Sequence, residues 1–110
     1  MQINFKEMNE QELVNFKGGE KSVMAKMFTD DDNRIVMMRL VPGASVGMHR
    51  HEGSSETVYF LQGKGEVLEE GVWTPIQAGD CHYCPEGCEH SIKNNSEEEL
   101  IFFAVVPQHA

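Results

Sequence analysis

The sequence predicts an all-β fold in a single domain. Short runs rich in β-branched and aromatic residues recur along the chain, bounded by Gly, Pro, Asn, Asp or Ser about every 8–12 residues. Two of these runs, RIVMMRLV at 34–41 and LIFFAVV at 100–106, are almost unbroken apolar stretches of strand length, as buried strands require. No segment carries an amphipathic helix of useful length, an internal linker or a low-complexity tract. A chain of 110 residues suits one domain, and one of that size buries roughly two-thirds of its unfolded surface.

Taken in order, residues 1–19 are polar and mixed and read as an N-terminal arm, packed outside the barrel or on a partner subunit. Asn9 could cap a short helical turn over Glu10–Asn15. The β-barrel itself is expected over 20–107. Residues 20–29 alternate Val23, Ala25 and Met27 against Met24, Lys26 and Phe28, which is strand period. Asp30-Asp31-Asp32-Asn33 reads as a turn. It lacks the later ligands and the glycine of a calcium loop. Strand 34–41 follows and ends at Pro42-Gly43.

The next stretch carries the chemistry. His49 and His51 sit two apart, so a strand puts both imidazoles on one face and Arg50 on the other. Glu-Gly-Ser-Ser then reads as a bend, and the chain resumes as a strand at Glu56–Leu61. Two neighbouring strands can thus aim two imidazoles and a carboxylate at one point, a donor set suited to first-row divalent metals. On the second strand Glu56, Val58, Phe60 and Gln62 share a face; Thr57, Tyr59 and Leu61 form the other. Gly63-Lys64-Gly65 reads as a turn, and 66–69 with 72–74 as a hairpin around Glu70-Gly71. Pro75–Ala78 leads into a second distinctive stretch, GDCHYCPEGCEHSIKN, where Pro85 and Gly87 turn the chain and His90 opens a strand. Asn95–Glu98 is an acidic turn, 100–106 is the last buried strand, Pro107 ends it, and Gln108–Ala110 are expected to fray.

These two stretches resemble the paired motifs of the cupin superfamily. The first reads Gly43, five residues, His49-x-His51, four residues, Glu56, six residues, Gly63. The second reads Gly79, five residues, Pro85-x-Gly87, two residues, His90, three residues, Asn94. Every motif position is filled, the order is right, and the resemblance covers about half the chain. It implies a small jelly-roll barrel of the single-domain type, since only residues 64–78 separate the motifs. It also implies that His49, His51, Glu56 and His90 hold one divalent transition metal, whether Mn, Fe, Ni, Co or Zn. Gly43, Gly63, Gly79, Pro85, Gly87 and Asn94 become turn and backbone positions.

Composition limits the partners. The formal net charge is −9 with His neutral. Residues 1–50 hold seven basic and seven acidic side chains, whereas 51–110 hold only Lys64 and Lys93 against eleven acidic groups. An acidic surface repels phosphate backbones, so nucleic acid is an unsuitable partner. The N-terminal residues lack the unbroken apolar core of a secretory signal, and no apolar run reaches bilayer-spanning length. A cytoplasmic protein without a membrane partner is expected. Cys81, Cys84 and Cys88 are odd in number and closely spaced, which suits free thiols in a reducing compartment. A metal cluster is disfavoured, because Cys81 and Cys84 face opposite sides of a strand; small, buried, inert cysteines are expected instead.

His82 shares a face with Cys84, where the family pattern usually has apolar residues. It is the candidate catalytic group, a proton shuttle lining the cavity; the alternative is a histidine hydrogen-bonded behind a ligand. Tyr59, Tyr83 and Trp73 read as packing residues, and Arg39 is a candidate for binding an anion if it faces inward. Three neutral imidazoles and one carboxylate leave a divalent ion with residual positive charge and, in a six-coordinate shell, two open positions. A small anionic or oxygen-rich ligand is therefore expected. The resemblance implies a metal-dependent enzyme of the dioxygenase, decarboxylase, isomerase or lyase kind. A non-catalytic binding module is the alternative, and a metal-free epimerase is disfavoured by the complete ligand set. The apolar outer residues Tyr59 and Leu61 suggest a homodimer.

Overall fold

The computed structural model describes residues 1–109. They form ten strands: β1 (Gln11–Val14), β2 (Ser22–Thr29), β3 (Asn33–Leu40), β4 (Ser45–Arg50), β5 (Glu56–Gln62), β6 (Lys64–Glu69), β7 (Val72–Gln77), β8 (Cys81–Cys84), β9 (Glu89–Lys93) and β10 (Leu100–Pro107). Two 3₁₀ turns, Phe5–Glu7 and Phe16–Gly18, are the helical elements among the described residues. None is long and apolar enough to cross a membrane. The strands make a six-stranded sheet in the order β1-β2-β3-β10-β5-β8 and a four-stranded sheet in the order β4-β9-β6-β7. Every pairing is antiparallel. The jelly-roll expectation holds.

The core lies between the sheets, and period-two patterning puts it there. Leu100, Phe102, Ala104 and Val106 alternate inward from β10, and Val36, Met38 and Leu40 do so from β3. Val58 and Phe60 join them from β5, with Phe60 edge-on to Phe102 at 5.7 Å. The smaller sheet contributes Val46, Val67 and Ile92. The apolar residues on the other face of β10 are half-buried because the N-terminal segment covers them. Phe5 packs edge-on against Phe103 at 6.2 Å, and Arg39 binds Glu10 and Glu99.

Several local expectations are corrected. The segment over Glu10–Asn15 is not a helical turn; β1 occupies it, with Leu13 opposite Val23 of β2. Six residues are too few to sustain an isolated helix, while the free edge of β2 offers a ladder. The turn expected over Gly63–Gly65 shrinks to Gly63, with Lys64 and Gly65 already in β6. Gly63 has φ +88°, and a Cβ there would overlap the Glu99 carbonyl oxygen. This one residue switches the chain from the larger sheet to the smaller. Pro75 sits within β7, an edge strand, where a missing N–H is tolerated. Gln108 and His109 do not fray: the Gln108 amide donates to Asp32 O and the His109 amide to Gly53 O, each at 2.7 Å. Ala110 lies outside the described residues.

Candidate metal centre

His49 is on β4, His51 immediately follows it, Glu56 opens β5, and His90 lies on β9. His49 and His90 are direct cross-strand partners, beyond a register shift between Val46 and His49. Glu56 belongs to the other sheet, so the cluster sits where the two sheets meet. One donor atom from each of the four residues lies within 4.8 Å of all the others. His90 Nε2 is 3.0 Å from His49 Nε2, from His51 Nε2 and from Glu56 Oε1. His51 Nε2 is also 3.0 Å from Glu56 Oε1.

These contacts fit a cation better than hydrogen bonds. One imidazole nitrogen carries at most one proton, which cannot serve three neighbours at once. Three imidazole nitrogens and a carboxylate oxygen gathered around one point are a donor set that first-row divalent ions take. The spacing agrees: bonds of about 2.1 Å at right angles put neighbouring donors about 3.0 Å apart.

The opposite ring nitrogens are each held. His49 Nδ1 donates to the Gly47 carbonyl at 2.8 Å. His51 Nδ1 is 3.1 Å from Ser54 Oγ, and His90 Nδ1 is 3.0 Å from His82 Nε2. Fixing Nδ1 in this way leaves Nε2 free to ligate. Burial lowers the His49 pKa to about 4, with the Gly47 hydrogen bond opposing and His90 adding to the effect. Burial alone would raise the Glu56 carboxyl. Hydrogen bonds from His51 and His90 outweigh it in the metal-free protein and hold the group at about 2. Carboxylate and neutral imidazole are thus favoured at neutral pH, the states that bind metal.

A cavity of about 280 Å³ opens onto His49, His51 and Glu56. Its walls are Val36, Met38, Val46, Ile92, Phe102 and Val106, and its polar border carries Lys17, Arg34, Arg50 and Glu52. Arg50 is tied to Glu89 at 2.5 Å. Among the described residues neither Lys17 nor Arg34 is in an ion pair. Local positive charge thus rims a cavity in an acidic protein.

His82 is buried, but it sits against the back of His90 rather than along this cavity. Arg39 faces outward to Glu10 and Glu99, away from the cavity, so it is no anion ligand there. Tyr59 and Tyr83 are half-exposed on the outer face, and the Lys93 ammonium lies 3.9 Å over the Trp73 ring. The three cysteines are unpaired; Cys84 is buried as expected, but Cys81 is exposed and Cys88 half-buried, because Cys81 and Cys84 point to opposite strand faces.

Sequence reasoning missed Gly47, Ser54 and Glu69 as groups supporting the cluster. Ser54 had a signal: a hydroxyl three residues after a ligand histidine, in the bend that returns the chain to Glu56. The Gly47 carbonyl and the Glu69 carboxylate, 4.0 Å from His82 Nδ1, carried none. Ser55 Oγ is 2.9 Å from His109 Nε2, so the C-terminal residues brace the same bend.

Known proteins agree with this architecture. Residues 36–106 match the family model described as the Cupin domain. An oxalate-binding protein of Thermotoga maritima is 36% identical over 112 residues, covering 96% of this chain and 93% of that one. The crystal structure of a "predicted oxalate decarboxylase" from Thermotoga maritima superposes with a TM-score of 0.92 at 32% identity, covering 98% of this chain and 99% of that one. The cupin domain of Schizosaccharomyces pombe Cnp3 shares the fold alone, with a TM-score of 0.80 at 15% identity over 98% of this chain and 74% of that one. With its two motifs, its paired antiparallel sheets and the matched span, the chain belongs to the cupin family.

Proposed function

We propose that this cupin binds one divalent transition metal through His49, His51, Glu56 and His90 and uses it to capture a small oxygen-rich anion such as oxalate or a 2-oxo acid. The observation that carries the reading is the convergence of His90 Nε2 on three other donors at 3.0 Å each. When bound, a divalent ion supplies Lewis acidity toward a carboxylate or carbonyl oxygen. The protein's own residues do the rest. Gly47, Ser54 and His82 orient the imidazoles, Lys17 and Arg34 attract the anion, and the apolar walls exclude water. The relatives support the ligand class, one being an oxalate-binding protein and the other a predicted oxalate decarboxylase.

Enzymatic turnover of the captured anion is the second reading, favoured by the latter relative. It needs a proton donor within reach of the ligand, and Glu52 is the ionisable carboxyl that borders the cavity besides Glu56. A cytoplasmic location suits the three free thiols. A homodimer suits the exposed apolar outer face of β5 and β8.

Elemental analysis of protein purified without chelator or nickel resin tests the metal, with one equivalent per chain expected. The His51→Ala/His90→Ala double variant should retain none while keeping its β-sheet circular dichroism. Calorimetric titration of oxalate and 2-oxoglutarate into metal-loaded and stripped protein tests the ligand. Equal binding to both forms would show that the metal is not the anchor. A panel of small carboxylic acids assayed for turnover separates enzyme from binding module.

A further inference from the structure

We propose that His82 is a positioning residue for the metal centre, its Nε2 accepting the Nδ1 proton of His90 and so aiming the His90 Nε2 lone pair at the other three donors. This rests on the metal-binding reading above. His90 is 0% exposed, and the group at its Nδ1 is another histidine, 3.0 Å away. The two rings lie 22° from parallel with centroids 5.3 Å apart. His49 and His51 solve the same problem with a backbone carbonyl and a hydroxyl that belong to the motif's own strand and bend. For His90 the acceptor comes from the opposite sheet: His82 is on β8 and His90 on β9.

The physical argument concerns one proton. A neutral imidazole protonates either ring nitrogen, and the partner of one decides the state of the other. With no acceptor at Nδ1, a metal-bound His90 would bury an unsatisfied N–H, which weakens binding. Its other tautomer would point a proton at the nitrogens of His49 and His51, where the metal must sit. In the metal-free protein that proton can rest on Nε2 beside Glu56; once an ion takes Nε2 the proton moves to Nδ1, and His82 receives it there with a lone pair. It needs its own proton on Nδ1 to do so, and that nitrogen is 4.0 Å from the Glu69 carboxylate. Glu69 lies directly across from His90 in the β6–β9 ladder, so the smaller sheet places a carboxylate near one side of His82 and His90 against the other.

The test uses the full chain and zinc. His82→Phe keeps a flat ring of similar size but offers no acceptor. His82→Gln offers an amide oxygen. Zinc affinity by competition with a chelator should fall about 10–100-fold in His82→Phe and recover to within several-fold of wild type in His82→Gln. In the stripped proteins His90 can keep its proton on Nε2 beside Glu56, so their melting temperatures should stay close together. In zinc-loaded wild type, nitrogen-15 NMR should show the His90 Nδ1 proton in a hydrogen bond coupled to His82 Nε2, a readout that does not depend on either variant folding. Wild-type affinity in His82→Phe, equal losses in both variants, or a His90 proton uncoupled to His82 would overturn the positioning role and leave the metal site standing. Failure of wild type to bind zinc or any other divalent ion would instead overturn the metal-binding reading and the positioning role with it.

Discussion

The carbonyl oxygen of Gly47 accepts a hydrogen bond from Nδ1 of His49, two residues along the same strand, at 2.8 Å. Gly47 also lies where the N-terminal segment crosses β4. A Cβ at this position would overlap the Lys17 carbonyl oxygen and crowd the Gly19 nitrogen. One residue without a side chain thus lets two stretches of backbone touch while presenting its carbonyl to a metal-ligand histidine.

Gly47→Ala should therefore act twice. Overlap with rigid backbone costs at least about 2 kcal/mol, a fall in melting temperature of roughly 10 °C. Movement of β4 should also weaken metal binding. Gly53→Ala makes the control. A Cβ there meets nothing, and only the positive φ of +71° opposes it, for about 1 kcal/mol. Thermal melts and metal titration of both variants check this, and equal effects at the two sites would refute it.

How much of this was readable in the sequence follows from the range of each interaction. His49, His51, Glu56 and His90 were legible because local backbone geometry fixes them: period two on a strand and a bend of set length. Strands β2, β3, β5 and β10 were legible because their burial imposes alternation or unbroken apolarity. β1 was not, because a half-exposed edge strand is shaped by the ladder it joins rather than by its own pattern. The outward orientation of Arg39 was hidden for the same reason: it depends on Glu10 and Glu99, residues distant in sequence. His82 had a legible parity but an illegible partner. The approach of β8 to β9 is set by how the two sheets pack, which no local signal encodes.

The thiols should separate by strand face. Cys81 is exposed on β8, whereas burial pushes the Cys84 thiol up to about 12. The thiolate is the reactive form, so at pH 8 a thiol reagent should label Cys81 in the folded protein and spare Cys84. Unfolding without reductant should release three titratable thiols per chain. Labelling followed by peptide mass spectrometry checks the order, and modification of Cys84 as fast as Cys81 would contradict it.

The outer face of β5 and β8 should pair two copies. Tyr59 and Leu61 are each 45% exposed and Tyr83 is 56% exposed. Thr57 opposite Tyr83 and Tyr59 opposite Cys81 place these side chains on one continuous patch. β8 is also a sheet edge with unpaired backbone groups. Light scattering at micromolar concentration should give twice the chain mass of 12.4 kDa, and Leu61→Arg with Tyr83→Arg should halve it. A monomeric mass for wild type would rule the pairing out.

Acid should undo the stripped protein in two stages. The His49 pKa is lowered by burial from its ordinary 6.5 to about 4. Between those values the unfolded chain binds the proton more readily than the folded one, so stability falls as pH drops through that window. Glu56 moves the same way for a different reason. Burial opposes its charge, but the hydrogen bonds from His51 and His90 prevail and lower it from 4.5 to about 2. The stability contributed by that carboxylate is fully present above about 4.5 and lost as pH falls toward about 2. Both slopes have one sign, so the melting temperature of the stripped protein should decline steadily below about pH 6.5 and never rise. His49→Asn removes one of two upper groups, since burial lowers the His82 pKa as well, and should make the curve shallower between about pH 6.5 and 4 while leaving the lower limb. Metal should steepen the acid dependence, because protons compete for the same nitrogens and carboxylate. The loaded protein should release its ion as those groups protonate. Thermal melts across pH, with and without metal, measure all three effects. A stripped protein that gains stability on acidification from pH 6.5 to 4 would contradict the burial of His49 as the controlling factor.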